Sequence, residues 1–119
     1  MTHCPVCEEG LEITALSCPA CKTEYGGKFY FPRLARLTAE ERKLAESLIL
    51  HGGSLKEMAA ALDISYPTLK KRLSELSASL ETKQKEDEVS IEQIFSEIEA
   101  GKINAKEGIR MIREINGEL

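Results

Sequence analysis

The sequence lacks tryptophan, and aromatic residues make up only 5% of its 119 residues. Proteins that stack single-stranded nucleic acid on aromatic side chains need more such residues. Long apolar runs are missing as well, although a membrane-spanning helix needs about 20 apolar residues in a row. The first residues also lack the basic and apolar stretches of a secretory signal peptide. We therefore expect a cytoplasmic protein without a membrane span, too short for a large enzyme fold.

No charge of one sign dominates, since 16 Lys and Arg face 20 Asp and Glu, for a net charge of −4. The charge is nevertheless unevenly spread. Residues 33–80 hold eight basic and six acidic side chains, whereas the segments on either side are acidic. With 42% hydrophobic and 30% charged residues, the composition is typical of a folded domain. The middle of the chain is therefore the only segment with a basic surplus.

Cysteines are confined to the first 21 residues, where two Cys-Pro-x-Cys pairs place them at Cys4, Cys7, Cys18 and Cys21. Two residues between cysteines let both thiolates of a turn face one ion, and two such pairs supply the tetrahedral set of structural zinc. Disulfides are rare in cytosolic chains, and a redox-active pair would need a βαβ context. We predict a structural Zn²⁺ ion bound by these four cysteines, with iron or metal-free thiols as the alternatives.

The residues around the cysteine pairs favour short strands. Residues 11–16 alternate apolar and polar side chains, as in a strand. Gly26-Gly27 is expected to turn the chain before a candidate returning strand over residues 28–31. Residues 1–32 therefore predict a small β zinc ribbon. About 30 residues bury too little surface to fold alone, so metal binding would supply the missing free energy.

Residues 33–80 predict three helices with clear boundaries. Thr38 and Ser54 each precede a glutamate by three residues, as in a capping box, and Ser65 is a cap for the third helix. A short helix, a turn and a second helix form a helix-turn-helix unit. The apolar positions expected to pack its core are Leu44, Ala45, Leu48, Ile49, Leu55, Met58, Ala59, Leu62, Ile64, Leu69, Leu73 and Leu76.

One face of the third helix carries the candidate DNA contacts. With Leu69 and Leu73 on the buried side, a helical wheel leaves polar side chains facing outward. The candidates are Ser65, Tyr66, Thr68, Lys70, Lys71, Arg72 and Ser74. We expect further positive charge nearby from Arg33, Arg36, Arg42, Lys43 and Lys56. Double-stranded DNA is the predicted partner, bound weakly by one copy and better by a dimer. The alternative is a protein-interaction adaptor that uses the ribbon and the C-terminal hairpin, because helix-turn-helix folds also serve as adaptors.

The last third of the sequence predicts a helical hairpin. Residues 81–89 form a charged linker or a helix extension, and Ser90 opens a helix that stops at Gly101. Asn104 caps a final helix, so residues 90–119 form an αα hairpin. Its two helices cannot bury their apolar faces alone, so these faces must pack against the rest of the chain, a second copy or another protein. We expect a homodimer or higher oligomer through these helices. The predicted fold class is mainly α, with an N-terminal β ribbon.

Three resemblances accompany these patterns. Residues 54–73 resemble the DNA-reading helices of region-four sigma-factor domains and response regulators, which usually have glycine at the position of Asp63. Residues 98–109 resemble small two-helix SHOCT-like domains, which are interaction modules. The Cys-Pro-x-Cys pairs, the connector over residues 32–38 and the stretch over residues 64–69 resemble domain-of-unknown-function family 2089. That resemblance implies a zinc ribbon joined to a helix-turn-helix and a role as transcriptional regulator. No catalytic constellation is present, so we expect no enzyme.

Overall fold

The computed structural model describes residues 1–118, which form a small two-stranded sheet followed by four α-helices. The elements are β1 (Ile13–Ser17), β2 (Glu24–Phe29), a 3₁₀ turn (Arg33–Arg36), α1 (Ala39–Leu50), α2 (Leu55–Leu62), α3 (Tyr66–Glu99) and α4 (Ala105–Ile115). The predicted fold class, mainly helical with an N-terminal β segment, is confirmed. The chain forms two compact units, one from Leu37 to Lys85 and one that joins Met1–Arg36 to the residues from Glu86 onward.

The two strands form an antiparallel sheet in which Leu16 lies opposite Tyr25 and Ile13 lies opposite Phe29. Strand β2 begins at Glu24, so the prediction that Gly26-Gly27 forms a turn before the returning strand is wrong. The register shifts near Ile13, where β2 carries one extra residue, and Gly27 there has a φ of 146°. An extra residue of this kind is a β-bulge, which glycine accommodates without a side-chain clash.

The unit from Leu37 to Lys85 is the helix-turn-helix. Its core consists of the buried residues Met58, Ala59 and Leu69. Partly buried apolar side chains pack around it, namely Leu44, Leu48, Leu55, Ile64 and Leu73. The predicted core is confirmed at these positions but is wrong at Ile49 and Leu62, which are 73% and 40% exposed. Each residue turns an α-helix by about 100°, so the side chain after Leu48 already points away from the core.

The turn between α2 and α3 takes the predicted form. Asp63 ends α2 in the left-handed conformation, with φ 53° and ψ 47°. The N–H of Ile64 donates to the carbonyl of Ala59 at 3.1 Å, which closes the turn. Ser65 then accepts the N–H of Thr68 at 3.3 Å and caps α3. Together these bonds fix the start of α3 against α2.

Helix α3 continues without a break through the segment predicted as a charged linker or helix extension. The prediction that Ser90 opens a new helix is therefore wrong, and the extension is what the structure contains. The sequence has neither glycine nor proline between Pro67 and Gly101, so nothing in it interrupts helical hydrogen bonding. One consequence is that α3 contributes its first part to one compact unit and its last part to the other.

The second unit joins the ribbon to the helical hairpin. Its core consists of Ile94, Met111 and Ile115, with Tyr30 from the chain after β2 packed against them. Further partly buried members are Ile91, Ile98, Ile103 and Ile112. Of the three ways expected to cover the apolar stripe of the hairpin, the structure shows contact with the rest of the chain. Ribbon and hairpin therefore share a core.

Candidate metal and nucleic-acid sites

The two cysteine pairs lie on turns of the same kind. The N–H of Glu8 donates to the carbonyl of Cys4 at 2.9 Å, and the N–H of Lys22 donates to that of Cys18 at 2.9 Å. Glu8 and Lys22, each just after the second cysteine of a pair, have φ values of 64° and 62°. The sequence repeat Cys-Pro-x-Cys is thus matched by a repeat in backbone conformation.

Hydrogen bonds to sulfur favour the thiolate form in both pairs. Backbone N–H groups of Cys7 and Val6 lower the pKa of the Cys4 thiol. The hydroxyl of Thr23, 3.1 Å from the Cys21 sulfur, and the Thr23 backbone N–H lower the pKa of Cys21 to about 7. The thiolate is the form that binds metal. The chemistry of both turns therefore fits a thiophilic divalent cation.

The structure pairs the cysteines but does not gather all four. Cys4 interacts with Cys7, and Cys21 interacts with Cys18. Among residues 1–118, no group of three or more Cys, His, Asp or Glu side chains is placed to hold a metal ion. The four-cysteine ligand set therefore stays a prediction. Each pair alone already has the donor type, the turn and the N–H···S bonds that such a ligand set uses.

Contacts between the ribbon and α4 were not expected from the sequence. Arg110 donates to the carbonyl of Lys28 at 3.0 Å, and its guanidinium lies 5.5 Å from the centre of the Phe29 ring. Glu114 accepts the backbone N–H of Tyr30 at 2.8 Å. Arg110 also pairs with Glu107 and Glu114, each at 2.7 Å. The only signal in the sequence is the spacing of these charges, which is also common on solvated helices.

The same contacts change the acidity of two groups. Hydrogen bonding from Arg110 lowers the pKa of the Glu107 carboxyl. Burial raises the pKa of the Tyr30 hydroxyl, and the negative charges of Glu97 and Glu114 add to that effect. At neutral pH, Glu107 is thus an anion held by Arg110, and Tyr30 is a neutral ring in the core. Both states support the ribbon–hairpin contact.

The candidate DNA-binding residues lie together at the start of α3, and all of them are exposed. They are Ser65, Tyr66, Thr68, Lys70, Lys71, Arg72 and Ser74. The Lys70 ammonium lies over the Tyr66 ring, 5.7 Å from its centre. The hydroxyls of Ser65 and Thr68 are 2.8 Å apart at the helix start. The structure therefore leaves this face open within the described chain.

Two arginines expected near the DNA face serve another purpose. Arg33 and Arg36 reach the carboxylate of Asp87 at 3.0 and 2.6 Å. Asp87 is only 5% exposed, so it is a buried anion held by two cations. The expectation that Arg33 and Arg36 add free positive charge is therefore wrong. In the sequence, Asp87 continues the spacing of Leu69, Leu73, Leu76 and Leu80 along one helix face. A polar residue at such a position is the signal that could have indicated a buried ion pair.

The fold and the paired cysteines define a helix-turn-helix protein with an N-terminal cysteine ribbon. Residues 4–35 match the family model described as the DUF2089 zinc ribbon, and residues 37–83 match the one described as domain of unknown function (DUF2089)-HTH. Over these two segments the chain belongs to the DUF2089 family. The SHOCT-like resemblance of the hairpin has no such support and stays a prediction.

No curated protein and no solved structure matches the chain. None of the helices in residues 1–118 is long and apolar enough to cross a membrane.

Proposed function

We propose that this chain binds double-stranded DNA through the start of α3 and acts as a transcriptional regulator. The observation that supports this function best is the exposed polar face described above. Leu69 and Leu73 hold α3 in the core of the unit, and the opposite side carries Lys70 and Lys71. An α-helix fits the major groove, and the first residues of a recognition helix contact the base edges.

The charge of this unit sets the expected strength of binding. Residues 33–80 have a surplus of only two positive charges, and the single carboxylate of Asp87 offsets one of the two charges on Arg33 and Arg36. Affinity for duplex DNA rises with the number of phosphates that basic side chains neutralise. A single copy therefore binds weakly, and we propose that two copies bind together. Light scattering of the purified chain measures its mass and tests this.

A charge-reversal experiment tests DNA binding. In the full chain, the double variant Lys70→Glu/Lys71→Glu is compared with Lys102→Glu/Lys106→Glu, which changes net charge equally in the hairpin. Affinity for a duplex of random sequence is measured by fluorescence anisotropy at several salt concentrations. We expect the first variant to bind at least tenfold more weakly, because each lost phosphate contact lowers affinity and salt dependence. Equal losses in both variants, or no salt-dependent binding by the parent chain, would reject the proposal.

We further propose that Cys4, Cys7, Cys18 and Cys21 would hold a Zn²⁺ ion, which supplies folding free energy rather than catalysis. Four cysteine ligands leave no coordination position for a substrate, which supports a non-enzymatic role. The residues of this chain contribute the repeated turns and the N–H···S bonds. Metal content per chain, measured by mass spectrometry after purification, tests the ligand set against single Cys→Ser variants.

An adaptor function is the second candidate, and exposed apolar side chains on the ribbon favour it. Leu16 and Tyr25 lie opposite each other across the sheet and are 48% and 58% exposed. Val6, in the first cysteine turn, is 92% exposed. A partner protein that covers these side chains would bury apolar area without using α3. The absence of duplex binding by the parent chain in the anisotropy experiment would favour this function.

A further inference from the structure

The two adjacent lysines at the start of α3 have different surroundings. Lys70 lies one turn after Tyr66, with its ammonium 5.7 Å from the centre of the tyrosine ring. Both side chains are exposed, and Tyr66 keeps 49% of its surface accessible. Among residues 1–118, no aromatic ring is in such contact with Lys71. Lys70 therefore has a contact with an aromatic ring that Lys71 lacks.

This difference bears on what each lysine does on DNA. A lysine is a hydrated point charge on a flexible stem, which suits phosphate contacts because these do not require one fixed position. Reading a base edge requires a donor at a defined position. The attraction between an ammonium and a ring face favours positions of the Lys70 side chain beside Tyr66. Lys70 is thus placed for base contacts, whereas Lys71 is free to follow phosphates.

The chemistry of the pair indicates which bases it contacts. A lysine ammonium donates to O6 and N7 of guanine, and an apolar surface packs on the methyl group of thymine. The exposed ring of Tyr66 is such a surface. Neighbouring bases along a strand are about 3.4 Å apart, so two groups separated by 5.7 Å can reach adjacent base pairs.

We propose that Tyr66 and Lys70 together read a guanine next to a thymine in the major groove, and that Lys71 contributes sequence-independent affinity. This inference rests on the proposed DNA binding. It assigns sequence selectivity to two residues and affinity to a third, within one turn of helix.

Selection of duplexes from a random library by the full chain identifies the preferred sites. Affinities are then measured for a selected site and for versions in which deoxyuridine replaces the thymine or 7-deazaguanine replaces the guanine. These changes remove only the methyl group or only N7. We expect each to weaken binding by the parent chain by about three- to tenfold. Tyr66→Ala should abolish the effect of the methyl group, and Lys70→Ala, which removes the donor, should abolish the effect of N7.

Two further variants distinguish recognition of specific bases from sequence-independent attraction to phosphates. Tyr66→Phe keeps the ring and should keep both preferences. Lys71→Gln should lower affinity for every duplex alike and reduce the salt slope by about 0.9. Circular dichroism checks that each variant is folded. If Lys70→Ala lowers affinity for every duplex alike, as Lys71→Gln does, or if the selected sites contain no adjacent guanine and thymine, this inference is wrong while DNA binding stands. If the parent chain binds no duplex, the proposed function fails as well.

Discussion

At the scale of single residues, Asp63 shows how a turn is made with a side chain that fits it imperfectly. Its φ of 53° lies in the left-handed region, which strains residues that carry a Cβ atom. Aspartate tolerates this conformation better than most residues, and glycine adopts it freely. The turn between α2 and α3 therefore stores a small amount of backbone strain at one position.

We expect Asp63→Gly to stabilise the chain by about 0.5 kcal/mol, since relief of strain is partly offset by a more flexible unfolded state. Urea unfolding followed by circular dichroism measures the change. Ala61→Gly is the control, because the same new residue within helix α2 should destabilise by about 1 kcal/mol. A destabilised Asp63→Gly variant would mean that the aspartate side chain contributes a bond worth more than the strain.

A second aspartate, Asp87, acts through its burial. Replacing it with alanine leaves Arg33 and Arg36 without their carboxylate, and their side chains are only 36% and 28% exposed. Breaking a fully buried pair typically costs 3–5 kcal/mol, and the partial exposure of the arginines lowers that value. We expect Asp87→Ala to destabilise the chain by about 2 kcal/mol in urea unfolding. The exposed neighbour Glu86 is the control, and an equal effect of Glu86→Ala would contradict the structural role of Asp87.

At the scale of elements, α4 crosses α3 at a glycine. Gly108 is buried, and a Cβ atom built on it would lie 2.7 Å from Cγ1 of Ile98 and closer still to its Cδ1 atom. Glycine is a poor helix former, so its presence within α4 reflects this close approach rather than helix propensity. The close packing of α4 against Ile98 of α3 therefore requires a residue without a side chain at position 108.

We expect Gly108→Ala to destabilise the chain by about 1–2 kcal/mol, because overpacking outweighs the gain in helix propensity. Combining it with Ile98→Val, which removes the Cδ1 atom, should recover part of the loss. Thermal unfolding of both single variants and the double variant gives the coupling between the two sites. Additive effects would show that Ile98 moves aside without cost.

Local signals explain which elements could be predicted from the sequence. Thr38, Ser54 and Asn104 each accept the N–H three residues later, as their positions before glutamate indicate. Such caps depend on a few neighbouring residues and are visible in sequence. Ser90 has a similar pattern, yet α3 continues through it. An N-cap residue begins a new helix only where the residues before it are not helical, and the residues before Ser90 are helical. The position of Asp87 on an apolar helix face could indicate burial, but its arginine partners lie more than 50 residues away and no local pattern reveals them.

At the scale of the whole molecule, ribbon and hairpin belong to one compact unit, although the sequence separates them widely. The hairpin core includes Tyr30, and the carbonyl of Lys28 accepts a bond from Arg110. From the sequence alone, loss of metal would unfold only residues 1–32. In the structure, loss of order in the ribbon also removes contacts from α4.

We therefore expect that, in the chain loaded with the proposed Zn²⁺ ion, its removal by a chelator weakens protection in α4 as well as in the ribbon. Hydrogen exchange read by NMR gives the protection of each amide. Amides around Met58 and Leu69 belong to the other unit and serve as the internal reference. Protection should return when zinc is added back. Unchanged exchange around Met111 and Ile115 after complete metal removal would mean that the hairpin does not depend on the ribbon.

The unit that contains the ribbon is assembled from two segments that are far apart in the sequence, so they leave the ribosome at different times. Tyr30 precedes its partner Glu114 by 84 residues. At translation rates of about 5–20 residues per second, the ribosome needs roughly 4–17 seconds to synthesise that interval. The helix-turn-helix lies entirely within the interval and is complete before α4 emerges. During this time the nascent ribbon lacks α4, and Tyr30 has no hairpin core to pack against. The helix-turn-helix, which is synthesised directly after the ribbon, already has every residue of its own core.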